Sequence, residues 1–209
     1  MPANSSVRVA NMALQILGAK PIVSFTEGTK FATMIDSIYD TERDATLRAY
    51  PWNFAAKRVA LARLDAVPVF GYAHQFQLPS DVLRVLEVFP EMDFKIEGRT
   101  LLCDSTAASI GYTARIESPV TWDANFASAF AAKLAMKIAY SATELLGMLD
   151  RARAAYADAL GEARTVDAQE GAVQSALGTG ANILVDIRLT NSRVDERVPF
   201  AGDFGLLGS

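Results

Sequence analysis

The spacing of apolar residues changes twice along this chain, and that change constrains the fold more than any other feature. Up to residue 50 the apolar residues recur every three or four positions, as in Ala10, Ala13 and Leu14. From about residue 76 to 116 they alternate in short runs, and the turn-forming stretches "VPVFG", "LPSD" and "EGRT" precede or separate these runs. The clearest hairpin is "FKIEGRTLLC", with Glu97 and Gly98 at its centre. Helical spacing then returns, with Asp123 as the expected N-cap and with Phe126 and Phe130 on one face. The sequence therefore predicts an α+β fold: a helical bundle formed by N- and C-terminal helices (residues 1–50 and 120–170), a central antiparallel β unit (residues 51–119) and an extended C-terminal tail (residues 171–209).

The stretch "AYPWNFAAKRVALARL" joins the first helical region to the β unit. Pro51 should end the second helix, because the residue before a proline is displaced from helical angles. Trp52 and Phe54 lie close to Lys57 and Arg58, a combination that could also stack on bases and bind phosphates. One basic pair is weak support for that alternative, whereas large aromatic residues dominate core energetics. We interpret Pro51, Trp52 and Phe54 as a structural corner.

The composition changes again after residue 170, where glycine is frequent and no helical stripe is evident. Apolar and other residues alternate in part of this tail, a pattern typical of a strand with one apolar face. The apolar members of the alternation are Ile183, Val185, Ile187 and Leu189. Phe200 and Phe204 follow as large apolar groups near the terminus. We predict that the tail adds a strand to a neighbouring subunit or another partner, with the two phenylalanines as anchors.

Candidate catalytic residues are sparse. His74 is the single histidine and lacks a recognisable partner, so a packed or surface role is the simpler interpretation. Cys103 is the single cysteine, which excludes an internal disulfide and any multi-cysteine metal site, and its place at the end of an apolar strand predicts an inert buried thiol. "LGTGAN" lacks the lysine of a phosphate-binding loop. No enzyme activity, catalytic residue, metal site or cofactor is expected.

Three aspartates, Asp36, Asp40 and Asp44, are spaced by four residues and should share one helix face. The simplest interpretation is a solvated face relieved by Arg43 and Arg48. A second is an acidic stripe facing a channel, and a third is a hard-cation site, although the glycine of a calcium loop is missing. The formal net charge of −4 argues against broad nucleic-acid binding. Neither a membrane span nor a signal peptide is visible, so we expect no membrane association.

Several stretches, in order and at similar spacing, resemble one known family. They are "ILGAKPIVSFTEGTKFATMIDSIYDTERDATLRAYPWNFAAKRVALA", "QLPSDVLRVLEV", "FKIEGRTLLCD" and "GYTARIESPVTWDANFASAFAAKLA". Together they cover roughly residues 10–145 and resemble the tail tubular protein A family, the head-to-tail adaptors of short-tailed bacteriophages (podoviruses). Two positions depart from the family pattern: His74 stands where another aromatic is usual, and "WDAN" lacks a proline after the aspartate. The tail after Gln169 shows no matching signature.

The resemblance implies a structural virion protein without catalytic activity. Family members form a homo-oligomeric ring, commonly dodecameric, beneath the portal protein; the ring extends the DNA channel and attaches the tail nozzle, tail tubular protein B. Genomic double-stranded DNA would pass through without sequence-specific binding. The expected location is the virion neck and tail, with the host cytoplasm during assembly. Our own hypothesis for such a ring is that the helical part docks to the portal, the β unit faces the tail, and the C-terminal tail binds the portal or a neighbouring subunit. Asp36, Asp40 and Asp44 are the candidates for an acidic channel lining.

Other functions stay open at this stage. A different neck component, such as a stopper ring, is the closest alternative. A cytoplasmic enzyme that uses dispersed carboxylates, or a DNA-binding regulator, would be a protein of a different class. Convergent acids in a pocket would indicate the enzyme, and salt-dependent duplex binding would indicate the regulator.

Overall fold

The structure is a computed structural model that describes the backbone of residues 5–191 and the side chains of residues 5–170. The chain has an α+β fold, as predicted, in which two helices precede a set of antiparallel strands and two helices follow it. The helices are α1 (Ser6–Ile16), α2 (Lys30–Ala49), α3 (Ala124–Thr143) and α4 (Leu146–Asn191). The strands are β1 (Ala56–Ala60), β2 (Ala62–Arg63), β3 (His74–Gln77), β4 (Val82–Phe89), β5 (Phe94–Glu97), β6 (Thr100–Cys103) and β7 (Ser109–Ala114).

Short polar side chains fix where the first three helices begin. The Ser5 hydroxyl accepts a hydrogen bond from the backbone N–H of Arg8, and Thr29 does the same for Ala32 at the start of α2. The Asp123 carboxylate accepts two backbone N–H groups at the start of α3, which confirms its prediction as an N-cap. These contacts satisfy donors that have no partner within the helix.

The strands form two antiparallel sheets, in the orders β1-β7-β4 and β2-β3-β6-β5. The predicted hairpin is β5–β6, in which Glu97 pairs with Thr100. Its two central residues are Gly98 and Arg99, one position later than the sequence suggested. Gly98 has φ +57°, and a glycine in this first central position is typical of a type II′ turn.

Two hydrophobic clusters stabilise this part of the chain. One lies among the helices and includes Trp52, Phe126 and Phe130; the other lies in the β region and includes Phe76 and Leu101. Both clusters belong to one compact unit, Met1–Ala168, and Gln169–Ser209 form a second. The helical and β regions both lie within the first of these units.

The extended conformation and the strand predicted for the tail are wrong for residues 171–191, because the backbone is helical up to Asn191. The alternation was ambiguous: Ile183 and Ile187 are four residues apart, as are Val185 and Leu189, and that spacing also suits a helix. No proline interrupts residues 171–191. A helix forms its hydrogen bonds internally, so this segment does not offer the strand that was expected to pair with a partner. Phe200 and Phe204 lie outside the described residues.

Candidate functional site

The chain turns from helix to strand at Pro51. Tyr50 caps the end of α2 in an extended conformation, and a single 3₁₀ turn over Asn53–Ala55 leads into β1. Trp52 is only 1% exposed, and its Nε1–H donates to the backbone carbonyl of Thr46 at 3.1 Å. Its ring lies 5.1 Å from that of Phe126, which also contacts Phe54 at 4.9 Å. Because Trp52 is buried in the helical core, its face is not available to stack on a nucleic-acid base.

The basic pair after the corner is matched by acids of the β region. Lys57 Nζ lies 2.8 Å from Asp81 Oδ2, and the Tyr112 hydroxyl donates to the other oxygen of Asp81 at 3.1 Å. Burial raises the pKa of Asp81, but these two hydrogen bonds outweigh burial and the pKa is lowered. Arg58 Nε lies 3.2 Å from Glu87 Oε1. The two ion pairs thus link β1 to Glu87 in β4 and to Asp81, the residue just before β4.

The acidic stripe on α2 is partly neutralised. Arg43, a buried residue, binds Asp40 through Nη1 at 2.7 Å and Asp44 through Nη2 at 2.8 Å. Arg115, from beyond β7, adds a 2.7 Å contact to the second oxygen of Asp44. Asp36 and Asp40 are exposed. The Arg43 contact agrees with the solvated-face interpretation, whereas the second arginine is Arg115 and not Arg48.

Glu42 forms an ion-pair cluster between α2 and α3. Its two carboxylate oxygens lie 3.1 Å from Lys133 Nζ and 2.8 Å from Lys137 Nζ. The Lys133 ammonium group also donates to the Thr46 hydroxyl at 3.1 Å. Burial raises the pKa of Glu42, but the hydrogen bonds from Lys137 and Lys133, together with the charges of both lysines, outweigh burial and leave the pKa lowered. This cluster was not predicted from the sequence, because no local pattern indicates which lysines of α3 face α2.

His74 and Cys103 face each other in register on neighbouring strands, β3 and β6. Cys103 is fully buried, and its Sγ lies 3.8 Å from the backbone carbonyl of Ser105. Within the described residues, no cluster of three or more His, Cys, Asp or Glu side chains is arranged to hold a metal ion. No helix in the same part of the chain has the length and hydropathy needed to cross a membrane.

The most unusual surface of the β region is the loop between β2 and β3. It exposes three large apolar side chains in four residues: Val67 at 69%, Val69 at 97% and Phe70 at 85%. The base of the loop is held by hydrogen bonds, from Gln75 Nε2 to the carbonyl of Ala66 at 2.8 Å and from the N–H of Ala73 to Asp104 at 2.9 Å. We call residues 67–70 the apolar loop. It is an ordered surface feature and a candidate interaction site.

A cavity of about 510 Å³ lies between the apolar loop and the sheet beneath it. Lys95 and Glu97 of the edge strand β5 line it and form an ion pair at 2.7 Å. Apolar residues with a charged rim are typical of protein–protein interfaces. From the sequence alone, "VPVFG" predicts only a turn. The signal that could have revealed an exposed site is a dense apolar run bracketed by proline and glycine.

These features define an α+β protein with a paired charge network and an ordered apolar loop. Neither a comparison with the models of known protein families nor one with curated protein sequences found a match.

Proposed function

We propose that this chain is a structural subunit that assembles into a ring, the head-to-tail adaptor of a short-tailed bacteriophage. The sequence resemblance over residues 10–145 suggests the family, and the apolar loop is the structural observation that carries the proposal. In this role the ring binds beneath the portal protein, extends the DNA channel and attaches the tail nozzle in the neck of the virion. The role requires no cofactor and no catalytic group.

The apolar loop supports assembly because exposing it is unfavourable. Full burial of a valine or phenylalanine side chain is worth roughly 1.5–3 kcal/mol relative to exposure. Hydrogen bonds fix the two ends of the loop, and Val67, Val69 and Phe70 between them are exposed. Contiguous apolar groups of this kind mark interaction sites on otherwise soluble proteins. The favoured occupant is a neighbouring copy of this chain or an adjoining tail component.

The charge distribution is compatible with a channel through which DNA slides. A net charge of −4 for each copy disfavours tight retention of a polyanion. Asp36 and Asp40 are exposed on α2 and are the members of the acidic stripe best suited to line the channel. The helical region is proposed to dock to the portal, and the β region to face the tail.

Native mass spectrometry of the full chain, alone and mixed with the portal protein of the same phage, tests the proposal. We expect a ring on the portal, and we expect the double variant V69S/F70S to remain unassembled. Because both side chains are exposed, the variant should keep the wild-type melting temperature. Val120→Ser is the matched control, since Val120 is also exposed, at 61%, but lies outside the loop. A wild-type chain that stays monomeric or dimeric with the portal would contradict the adaptor function.

A further inference from the structure

Three arginines converge on one surface cavity of the β region. The cavity has a volume of about 490 Å³ and lies between the end of α2, β4 and the β5–β6 turn. Arg48, Arg84 and Arg99 line it, and no aspartate or glutamate does. The rest of the lining is aliphatic or glycine: Leu78, Val82, Leu83, Val85, Ile96 and Gly98.

None of the three arginines forms an ion pair with another residue whose side chain is described. Arg48 Nη1 donates to the carbonyl of Leu83 at 2.7 Å, and Arg99 Nη2 donates to the carbonyl of Pro79. These backbone contacts position two guanidinium groups and leave most of their N–H donors unused. Arg84 is exposed on β4.

Four arginines elsewhere among the described side chains, Arg43, Arg58, Arg115 and Arg153, each lie within ion-pair distance of at least one carboxylate. In a chain whose net charge is −4, this cavity instead collects three positive charges with no acid in its lining. Exposed like charges repel each other, and an anion bound among them would relieve that repulsion.

We propose that this cavity binds a phosphate group. A guanidinium presents its donors in a rigid fork that fits phosphate or carboxylate oxygens in pairs. Three such forks exceed what the two oxygens of one carboxylate can accept, whereas a free phosphate or polyphosphate, or two successive phosphates of a nucleic-acid backbone, offers more oxygens and more charge. The phosphate can belong to a nucleic-acid backbone or to a free polyphosphate. This inference does not depend on ring formation, because all the residues belong to one chain.

Titration calorimetry of the full-length protein with three probes tests the site: inorganic pyrophosphate, a short single-stranded DNA oligonucleotide and a glutamate peptide of comparable charge. We expect a phosphate probe to bind and Arg84→Gln to weaken it by about fivefold or more. Loss of one phosphate contact to the oligonucleotide should also reduce the slope of log K against log salt by about 0.7. Arg58→Gln is the matched control, because it removes an equal charge that is paired with Glu87.

The probes also identify the source of the phosphate. Tighter binding of the oligonucleotide than of pyrophosphate would assign the site to a nucleic-acid backbone, and the reverse order would assign it to a free phosphate; both support the proposal. Equal weakening by Arg84→Gln and Arg58→Gln, binding of the glutamate peptide alone, or no binding of any probe would overturn it. The Arg84 side chain makes no hydrogen bond to another described side chain or to the backbone, so its variant should unfold at the wild-type temperature.

Discussion

Glu42 illustrates, at the scale of single residues, how a partly buried charge links two helices. Its lowered pKa means that the folded state favours the ionised carboxylate. This stabilisation is fully present above the unfolded-state pKa of about 4.3 and is lost as the pH falls through the lower folded-state pKa. We expect Glu42→Gln to lower the free energy of unfolding by about 1–3 kcal/mol at neutral pH, since Lys133 loses a charged partner.

Urea unfolding of the wild type and Glu42→Gln at several pH values measures this effect. The difference between the two proteins should shrink toward acidic pH, where the wild-type carboxylate is protonated. Asp36→Asn removes an exposed acid of the same helix and should change the free energy of unfolding little. A difference that stays constant between neutral and strongly acidic pH would exclude the ion pairs as its cause.

Phe126 is the residue on which the aromatic core depends most. It is fully buried, and its ring contacts those of Trp52, Phe54, Trp122 and Phe130. We expect Phe126→Ala to reduce the free energy of unfolding by about 3–5 kcal/mol, because it removes buried surface and leaves a cavity. Thermal or chemical unfolding would measure the loss. Phe94→Ala, at a position that is 41% exposed, should cost clearly less, and equal costs would contradict this account.

Local residue roles were predictable where the chemistry is local. Asp123 was found as an N-cap because its partners are two and three residues away. The spacing of Asp40 and Asp44 also showed that they share a helix face. One of the two arginines that bind them could not be predicted, because Arg115 is 71 residues from Asp44. The three arginines of the cavity likewise come from separate elements. Long-range pairs of this kind need the tertiary fold, and no spacing rule supplies them.

At the scale of elements, two glycines should respond to the same substitution in opposite directions. Gly98 has φ +57° in the β5–β6 turn, whereas Gly161 lies on the exposed side of α4. An added methyl group would meet no atom within 4 Å at either position, so conformational preference decides the outcome. We expect Gly98→Ala to destabilise the protein by about 1 kcal/mol and Gly161→Ala to stabilise it by about 0.5–1 kcal/mol.

Chemical denaturation of both glycine variants tests this pair of expectations. Each serves as the control for the other, because the substitution is identical and neither site is crowded. A loss of stability in Gly161→Ala would contradict a helical conformation at residue 161. An unchanged stability in Gly98→Ala would contradict a positive φ at residue 98.

Element types followed from the sequence wherever one periodicity dominated. The helices α1, α2 and α3 and the hairpin β5–β6 match the predicted pattern. The segment that includes Ile183 and Leu189 did not match its predicted type. Its apolar spacing fits both the two-residue repeat of a strand and the four-residue repeat of a helix, and its β-branched residues favoured the strand prediction. Propensity is a weak prior in such a case.

At the scale of the whole molecule, net charge should control assembly. Each copy carries a formal charge of −4, so copies that form a ring repel one another at long range. The screening length falls from about 30 Å at 0.01 M salt to about 8 Å at 0.15 M. We therefore expect the assembled fraction of the proposed ring to increase over this range.

Mass photometry at several salt concentrations and fixed protein concentration measures that fraction. The V69S/F70S variant is the control, because without the apolar loop it should stay unassembled at every concentration. Assembly that decreases as salt is added would indicate that ion pairs, and not apolar burial, hold the copies together.

The function was less accessible from the sequence than the fold. Composition and single motifs argued against catalysis but named no activity, and only the ordered resemblance over residues 10–145 suggested an adaptor. The apolar loop was read as a turn, because exposure depends on what the rest of the chain leaves uncovered. Val69 and Phe70 would be ordinary core residues in another fold.

The two hydrophobic clusters of the compact unit share no buried residue, and of the described side chains only the partly buried Ile116 packs against both. We therefore expect the helical half and the β half of this unit to unfold locally and separately. Partial unfolding follows such boundaries, so backbone amides protected by the same cluster should exchange with deuterium together. We expect β3 and β6 to exchange with one opening free energy and α3 with another, as measured by native-state hydrogen exchange. A single value for all of them would mean that the two halves unfold only as one. With separate values, the β half could rearrange during attachment to a partner while the helices remain folded.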